Sequence, residues 1–403
     1  MAAQSKARYV KLIMVTGENN NKYYEMTYDG SSPNFDVKYG RVESTAVTGS
    51  YPIRQWESKY NEKVKKGYKD VTEYVTTEVV EVKADGVLGK IQESKVEEFM
   101  SLMKRYTDGL VAKTYSVKAT SVTQKQVDDA QKLIDRLTSL AGMSKVNTQL
   151  INDTLVELYT TIPRRMSKVQ DWLMPYVQIG PTLVQEQSNL DAMASQVAML
   201  KPKDSKKAKK IKKEVKTILD VLGISMKQYS GVPKDLEYLT KQMGGRKIEA
   251  IFEVNKPYED TYFDAWLKAQ KNKQTRILIH GTKCTSVIPI LEIGLKIRPQ
   301  GNFQFSGKVY GDGNYFSEVV NKSMGYTGHD DDKVLLCYEV HTGKPFVYEG
   351  WYKGNSFTLN YKNLQERGFD STHVNAGNGL LNSEIIAYKE EQNRIKYIIW
   401  LKS

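Results

Sequence analysis

The apolar residues of this chain change their period twice, and that constrains its fold more than any single motif. Near the N-terminus they fall at every second position, as in Tyr24, Met26 and Tyr28 and again in Phe35, Val37 and Tyr39. Alternation of this kind predicts half-buried strands. Asp29-Gly30 closes the first run as a turn. Residues 51–67 then read as a helix, with Ile53, Trp56 and Tyr60 on one face and Gly67 as its stop. From about residue 90 the spacing becomes helical. Val96, Phe99, Met103 and Tyr106 recur at three, four and three, as do Val127, Ala130, Ile134 and Leu137. Ile151, Leu155, Leu158 and Ile162 form a third stripe, and Leu190, Met193, Val197 and Leu200 a fourth. Stripes joined by short links predict a helical bundle whose apolar faces make a core. Beyond about residue 223 the strands return. Ile277–Ile279 runs into His280-Gly281, Val334–Val340 is an apolar strand, and Glu384–Tyr388 with Ile395–Trp400 reads as a hairpin. The fold class implied is α+β and multidomain. Its expected regions are a small β-rich domain over 1–85, an α-helical bundle over 90–222, and a mixed, mostly antiparallel domain over 223–403.

The chain has 403 residues and a net charge of +12. Residues 201–216 alone hold nine lysines against two acidic residues, a local +7. Residues 1–70 carry a further excess of four. Such an excess favours a polyanionic partner, although a lysine run is equally compatible with a solvated linker. No apolar run is long enough to cross a membrane, and the first residues lack a signal-peptide pattern, so an intracellular protein is expected. Cys284 and Cys337 are the only cysteines, and His280, His329, His341 and His373 show no metal-ligand spacing around them. No metal is expected.

Three separated segments of the C-terminal region carry candidate chemistry. A strand delivers His280-Gly281-Thr282. Gly311-Asp-Gly-Asn-Tyr315-Phe316 follows, with Lys322-Ser323-Met-Gly-Tyr326 close behind it. Asn382-Ser383-Glu384 then opens an apolar strand. Singly these read as a structural histidine, a hairpin turn and a strand end. Gly311-Asp312-Gly313 is no dinucleotide fingerprint, because the third glycine and the following βα unit are missing.

In this order the segments resemble the catalytic domain of the poly(ADP-ribose) polymerases, whose signature is a His-Tyr-Glu triad on a split, mostly antiparallel sheet. Residues 91–200, with Leu158-Tyr-Thr-Thr-Ile-Pro163 near their middle, resemble the helical regulatory domain of the DNA-dependent members. Residues 8–80, with Tyr39-Gly40-Arg41 and Lys66-Gly67-Tyr68, are similar to the WGR domain, with Tyr39 in place of the tryptophan. The order of regions resembles that of the short, WGR-only members.

The resemblance implies a DNA-break-activated ADP-ribosyltransferase that splits NAD and transfers ADP-ribose to proteins, itself included, with elongation to polymer. NAD is then a substrate, held by His280, Gly281, Thr282, Tyr315, Lys322, Ser323 and Tyr326. His280, Tyr315 and Glu384 form the catalytic triad. Gly281 would present its backbone to the nicotinamide amide and Ser323 its hydroxyl. Tyr326 and Tyr315 would face the two sides of the ring, and His280 would bond the adenosine ribose. A fixed carboxylate at Glu384 would stabilise the positive charge that develops on the ribose and polarise the acceptor hydroxyl. Tyr39 and Arg41 would contact broken DNA ends. The expected site of action is the nucleus in a eukaryotic host and the cytoplasm or nucleoid in a bacterial one. Asn382 stands where elongating members carry an aromatic residue, which leaves mono-ADP-ribosylation as an alternative. A catalytically inactive DNA-binding scaffold is a third.

Overall fold

A computed structural model describes residues 6–42, 44–74, 88–200, 216–298, 309–349, 359–377 and 379–402. Most of the lysine-rich stretch, 201–215, lies outside the described residues. By their contacts the described residues fall into two units, one of 6–74 with 110–200 and one of 88–109 with 216–402.

In the first unit, β1 (Arg8–Thr16), β2 (Asn20–Tyr28), β3 (Asn34–Arg41), β4 (Val47–Pro52) and the two-residue β5 (Lys69–Asp70) form one antiparallel sheet in the order β4-β3-β2-β1-β5. The period-two residues point to one face. Leu12, Tyr24, Met26, Tyr28, Phe35 and Val37 pack there against Trp56 of α1 (Trp56–Lys65), with the Phe35 and Trp56 rings 5.0 Å apart. The β2–β3 turn is set by Asp29, whose carboxylate accepts from the Ser31 and Ser32 amides at 2.8 Å each. The expected helix starts late, because Tyr51 and Pro52 are held in β4, where Tyr51 pairs with Phe35.

The helical period is realised in α2 (Ser94–Thr114), α3 (Gln124–Ala141), α4 (Thr148–Thr161) and α5 (Ile179–Leu200). Helix α3 opens on a reciprocal cap between Thr123 and Gln126, and α4 on Asn147, whose side chain accepts from the Leu150 amide. Residues 94–109 of α2 belong to the second unit and its last turn to the first.

The second unit contains α6 (Ile218–Leu222), β6 (Ser225–Gln228), α7 (Glu237–Thr240), β7 (Lys247–Asn255), α8 (Pro257–Ala269), β8 (Thr275–Thr282), α9 (Cys284–Ile293), β9 (Asn314–Phe316), α10 (Val320–Met324), β10 (Asp332–His341), β11 (Pro345–Glu349), α11 (Tyr361–Glu366), β12 (Ser371–Asn375), β13 (Glu384–Ala387) and β14 (Asn393–Lys402). A five-stranded sheet has the order β6-β7-β14-β10-β8 and a four-stranded sheet the order β11-β12-β13-β9. Pairing is antiparallel except between β11 and β12. The sheets meet where Ile279 and Ser317 exchange both backbone bonds at 3.0 Å. The fold is therefore α+β with mixed sheets.

The expected hairpin of Glu384–Tyr388 with Ile395–Trp400 does not form. Strand β13 pairs with β12 and β9, whereas β14 pairs with β10 and β7. Gln392 makes the difference. Its side-chain oxygen accepts from the Tyr388 and Lys389 amides at 2.8 and 2.9 Å, and its amide donates to Asp370 O at 3.0 Å. The connection is thus tied into a 3₁₀ turn that carries the chain from one sheet to the other.

Candidate active site

Strand β8 holds His280 and Gly281 opposite Leu336 and Leu335 of β10. A Cβ on Gly281 would sit on the Ser323 carbonyl, 2.6 Å from its carbon, so only glycine lets α10 approach this strand. Ser323 is buried and its hydroxyl donates to Ile279 O at 3.4 Å. Thr282, at the end of β8, is buried as well.

The His280 Nδ1 lies 3.0 Å from the Tyr315 carbonyl. A carbonyl can only accept, so Nδ1 carries the proton and Nε2 is left as an acceptor. Burial lowers the His280 pKa from its ordinary 6.5, against the opposing pull of that carbonyl, and keeps the ring neutral at pH 7. A neutral ring with an acceptor nitrogen suits a ribose hydroxyl better than a phosphate. The Phe316 ring meets the imidazole edge-on at 6.2 Å.

Tyr315 sits on β9, opposite Ile386 of β13. A Cβ on Gly313 would lie 2.5 Å from Ile386 Cγ2 and 2.8 Å from Ala387 O, so this glycine admits the close pairing of the two strands. The Tyr315 hydroxyl donates to Gly311 O at 2.9 Å and accepts from the Tyr310 amide at 2.7 Å. Burial raises its pKa well above the usual phenol value, so the phenol stays neutral and its two bonds hold it in place.

Helix α10 presents Lys322, which ion-pairs with Glu384. Glu384 opens β13 opposite Val374 and is only 8% exposed. A buried carboxylate is retained only when paired, and here the partner comes from the segment that carries Ser323. The Lys322 ammonium also lies 5.9 Å from the centre of the Tyr326 ring, which is 42% exposed. The structure thus gathers His280, Gly281, Tyr315, Lys322, Ser323, Tyr326 and Glu384 around the junction of the two sheets. Tyr39 and Arg41 belong to the other unit. The Arg41 guanidinium is engaged inside that unit, donating to Asn19 O at 2.8 Å, to Asn19 Oδ1 at 3.1 Å and to Ser167 O at 2.9 Å.

Sequence reasoning missed Ser317, which touches all three segments. The only signal was its place directly after Tyr315-Phe316, and serine there has no property that a pattern reports. Among the described residues no group of three or more His, Cys, Asp or Glu side chains could hold a metal ion, and no helix is long and apolar enough to cross a membrane.

A close-packed glycine, a neutral histidine and a lysine-paired carboxylate thus stand where the two sheets meet. A family model described as the poly(ADP-ribose) polymerase catalytic domain matches residues 227–403. The poly(ADP-ribose) polymerase-like protein 100L of Invertebrate iridescent virus 6 is 57% identical over 167 residues, 41% of this chain and 92% of that protein. Uncharacterized protein 101L of the same virus is 42% identical over 189 residues, 47% of this chain and 77% of that protein. Poly(ADP-ribose) polymerase 1 of Gallus gallus is 22% identical over 312 residues, 70% of this chain and 30% of that protein. The chain belongs to the poly(ADP-ribose) polymerase family and is an NAD+ ADP-ribosyltransferase, with NAD as its substrate.

Proposed function

We propose that this enzyme is activated by DNA breaks and transfers ADP-ribose to proteins, itself included, elongating the product to poly(ADP-ribose). The observation that carries the catalytic part is the buried Glu384 carboxylate, held to Lys322 beside the Gly281 cradle. Gly281 and Ser323 bind the nicotinamide amide, Tyr315 and Tyr326 flank the ring, and His280, assisted by Thr282, accepts from the adenosine ribose through Nε2. The bond between the ribose C1′ and the nicotinamide nitrogen breaks, its electron pair leaves with neutral nicotinamide, and positive charge develops on the sugar. The Glu384 carboxylate stabilises that charge more than it stabilises the ground state. It then takes the proton of the acceptor hydroxyl as the acceptor oxygen bonds C1′. Lys322 keeps the carboxylate oriented.

For the rest of the chain the reading is a WGR-like domain over 1–85 that meets DNA ends through Tyr39 and Arg41, and a helical regulatory domain over 90–222. Two observations support it. An alignment of 312 residues to Gallus gallus poly(ADP-ribose) polymerase 1 is too long to fit within 227–403, so similarity extends upstream. The described N-terminal residues fold as a five-stranded sheet, and helices follow it. Asn382, two residues before Glu384, favours a second reading in which single units are transferred.

Incubation with labelled NAD, with and without blunt or nicked duplex DNA, followed by sizing of the modified protein, tests both. A DNA-stimulated ladder is expected. Equal rates with and without DNA would remove the activation, and one discrete shift would establish single-unit transfer.

A further inference from the structure

Ser317 stands where the three segments of the site meet. It follows Tyr315 and Phe316 directly and is 2% exposed. Its main-chain N–H and C=O both pair with Ile279, one residue before His280. Its hydroxyl donates to the Ser383 carbonyl at 3.0 Å and accepts from the Val319 amide at 3.0 Å. Val319 is the residue from which α10 starts, so the same side chain reaches the helix that carries Lys322 and Ser323.

The β9–β13 ladder runs from Ala387 opposite Asn314 to Ile385 opposite Phe316. Glu384 is the first residue beyond it. On the β9 side, its backbone is held through the Ser317 hydroxyl on the preceding carbonyl. Because the peptide unit is planar, fixing the Ser383 carbonyl fixes the Glu384 nitrogen and Cα, the point from which its side chain leaves the strand. We propose that Ser317 is a positioning residue for Glu384: its hydroxyl extends the ladder by one residue and sets the carboxylate against the ribose of NAD. The proposal rests on the reading of Glu384 as the catalytic carboxylate. The Ser317 hydroxyl is buried and spent on Ser383 O and the Val319 amide, so it acts through the geometry of Glu384.

Misplacing a reacting group by about 1 Å costs up to roughly a hundredfold in rate. Ser317→Ala is therefore expected to lower kcat for nicotinamide release by roughly tenfold to a hundredfold and to change KM for NAD by a smaller factor, because Gly281 and His280 remain on β8 and α10 loses only the bond at Val319. Ser317→Thr, which keeps a hydroxyl, is expected to restore most of the rate. Thermal melting checks that each variant is folded.

The deciding comparison is a cycle with Glu384→Gln, since residues that act as one unit are not additive. In the Glu384→Gln background, Ser317→Ala is expected to have no further effect. The same fractional loss in both backgrounds, a normal kcat in Ser317→Ala, or a raised KM with kcat unchanged would overturn the positioning role and leave that of Glu384 intact. A Glu384→Gln chain with normal turnover would instead overturn the catalytic reading, and this proposal with it.

Discussion

Burial pushes both His280 and His373 below the ordinary histidine pKa of 6.5, but the two rings differ in what they face. His280 donates its Nδ1 N–H to the Tyr315 carbonyl, which leaves Nε2 as an acceptor. His373, on β12, is largely buried, and the nearby Arg276 cation adds to the effect of burial, so its pKa falls to about 4. Its Nε2 has no hydrogen-bond partner among the described residues. Protonation there is opposed by desolvation and by a like charge together. Between about 6.5 and 4 the unfolded chain binds this proton and the folded chain does not, so stability rises with pH across that window. The contribution is complete above pH 6.5 and is lost as the pH falls toward 4. From pH 7 to pH 5 the loss from this one group is about 2 kcal/mol. His373→Asn should therefore show a smaller drop in melting temperature than the wild type over that interval. His280 contributes with the same sign in both proteins and cancels in the comparison. Equal drops would mean that His373 does not titrate as its surroundings dictate.

At the scale of elements, alternation located β2 and β3 and the helical period located α2 to α5, because these segments bury one face, whereas β8 and β10 were read from apolar runs, and β10 is buried on both faces. The pattern was weaker where a side chain, rather than burial, ends a segment. Gln392 turns what reads as a hairpin into a sheet-to-sheet crossing, and no apolar pattern reports that. The site's motif residues were legible as residue types in order, whereas Ser317 was not, since its role comes from contacts distant in sequence. Asp332, at the start of β10, is a similar case. Its carboxylate accepts from the Tyr106 hydroxyl at 3.0 Å and from Trp400 Nε1 at 2.8 Å, and its backbone carbonyl accepts from the Cys284 thiol at 3.3 Å. In sequence it is one acid among three, Asp330, Asp331 and Asp332. In the fold it ties the first part of α2 to β14. Asp332→Ala would leave the N–H of the fully buried Trp400 without an acceptor, at a cost of about 2–3 kcal/mol. Denaturant midpoints of the wild type, Asp332→Ala and Asp332→Asn would check this, with Asn expected to lose less. A change below about 0.5 kcal/mol in the alanine variant would show that these bonds hold nothing.

At the scale of the whole molecule, period and composition suggest three regions, and the contacts make two units. The reason lies in bonds that no period encodes. Within the first unit the N-terminal sheet and the helical residues are joined by polar contacts between distant positions. Asn21 donates to Arg164 O at 3.4 Å, the Val169 amide donates to Asn19 Oδ1 at 3.1 Å, and Arg41 bridges Asn19 and Ser167. Arg164 is itself buried, paired with Glu186 at 2.8 Å and stacked on Tyr115 at 4.1 Å, so the acceptor it offers Asn21 is rigid. Arg41 is thus a clamp between the sheet and the chain after α4, whatever else it binds. Hydrogen bonds from a charged donor are each worth about 1.5–3 kcal/mol, so Arg41→Ala should release both sides together. Hydrogen exchange on the full chain is expected to quicken in β3 and also in 167–172, with no change in β8, β10 or β14. Quickening confined to residues 39–42 would show that Arg41 does not join the sheet to the helical residues.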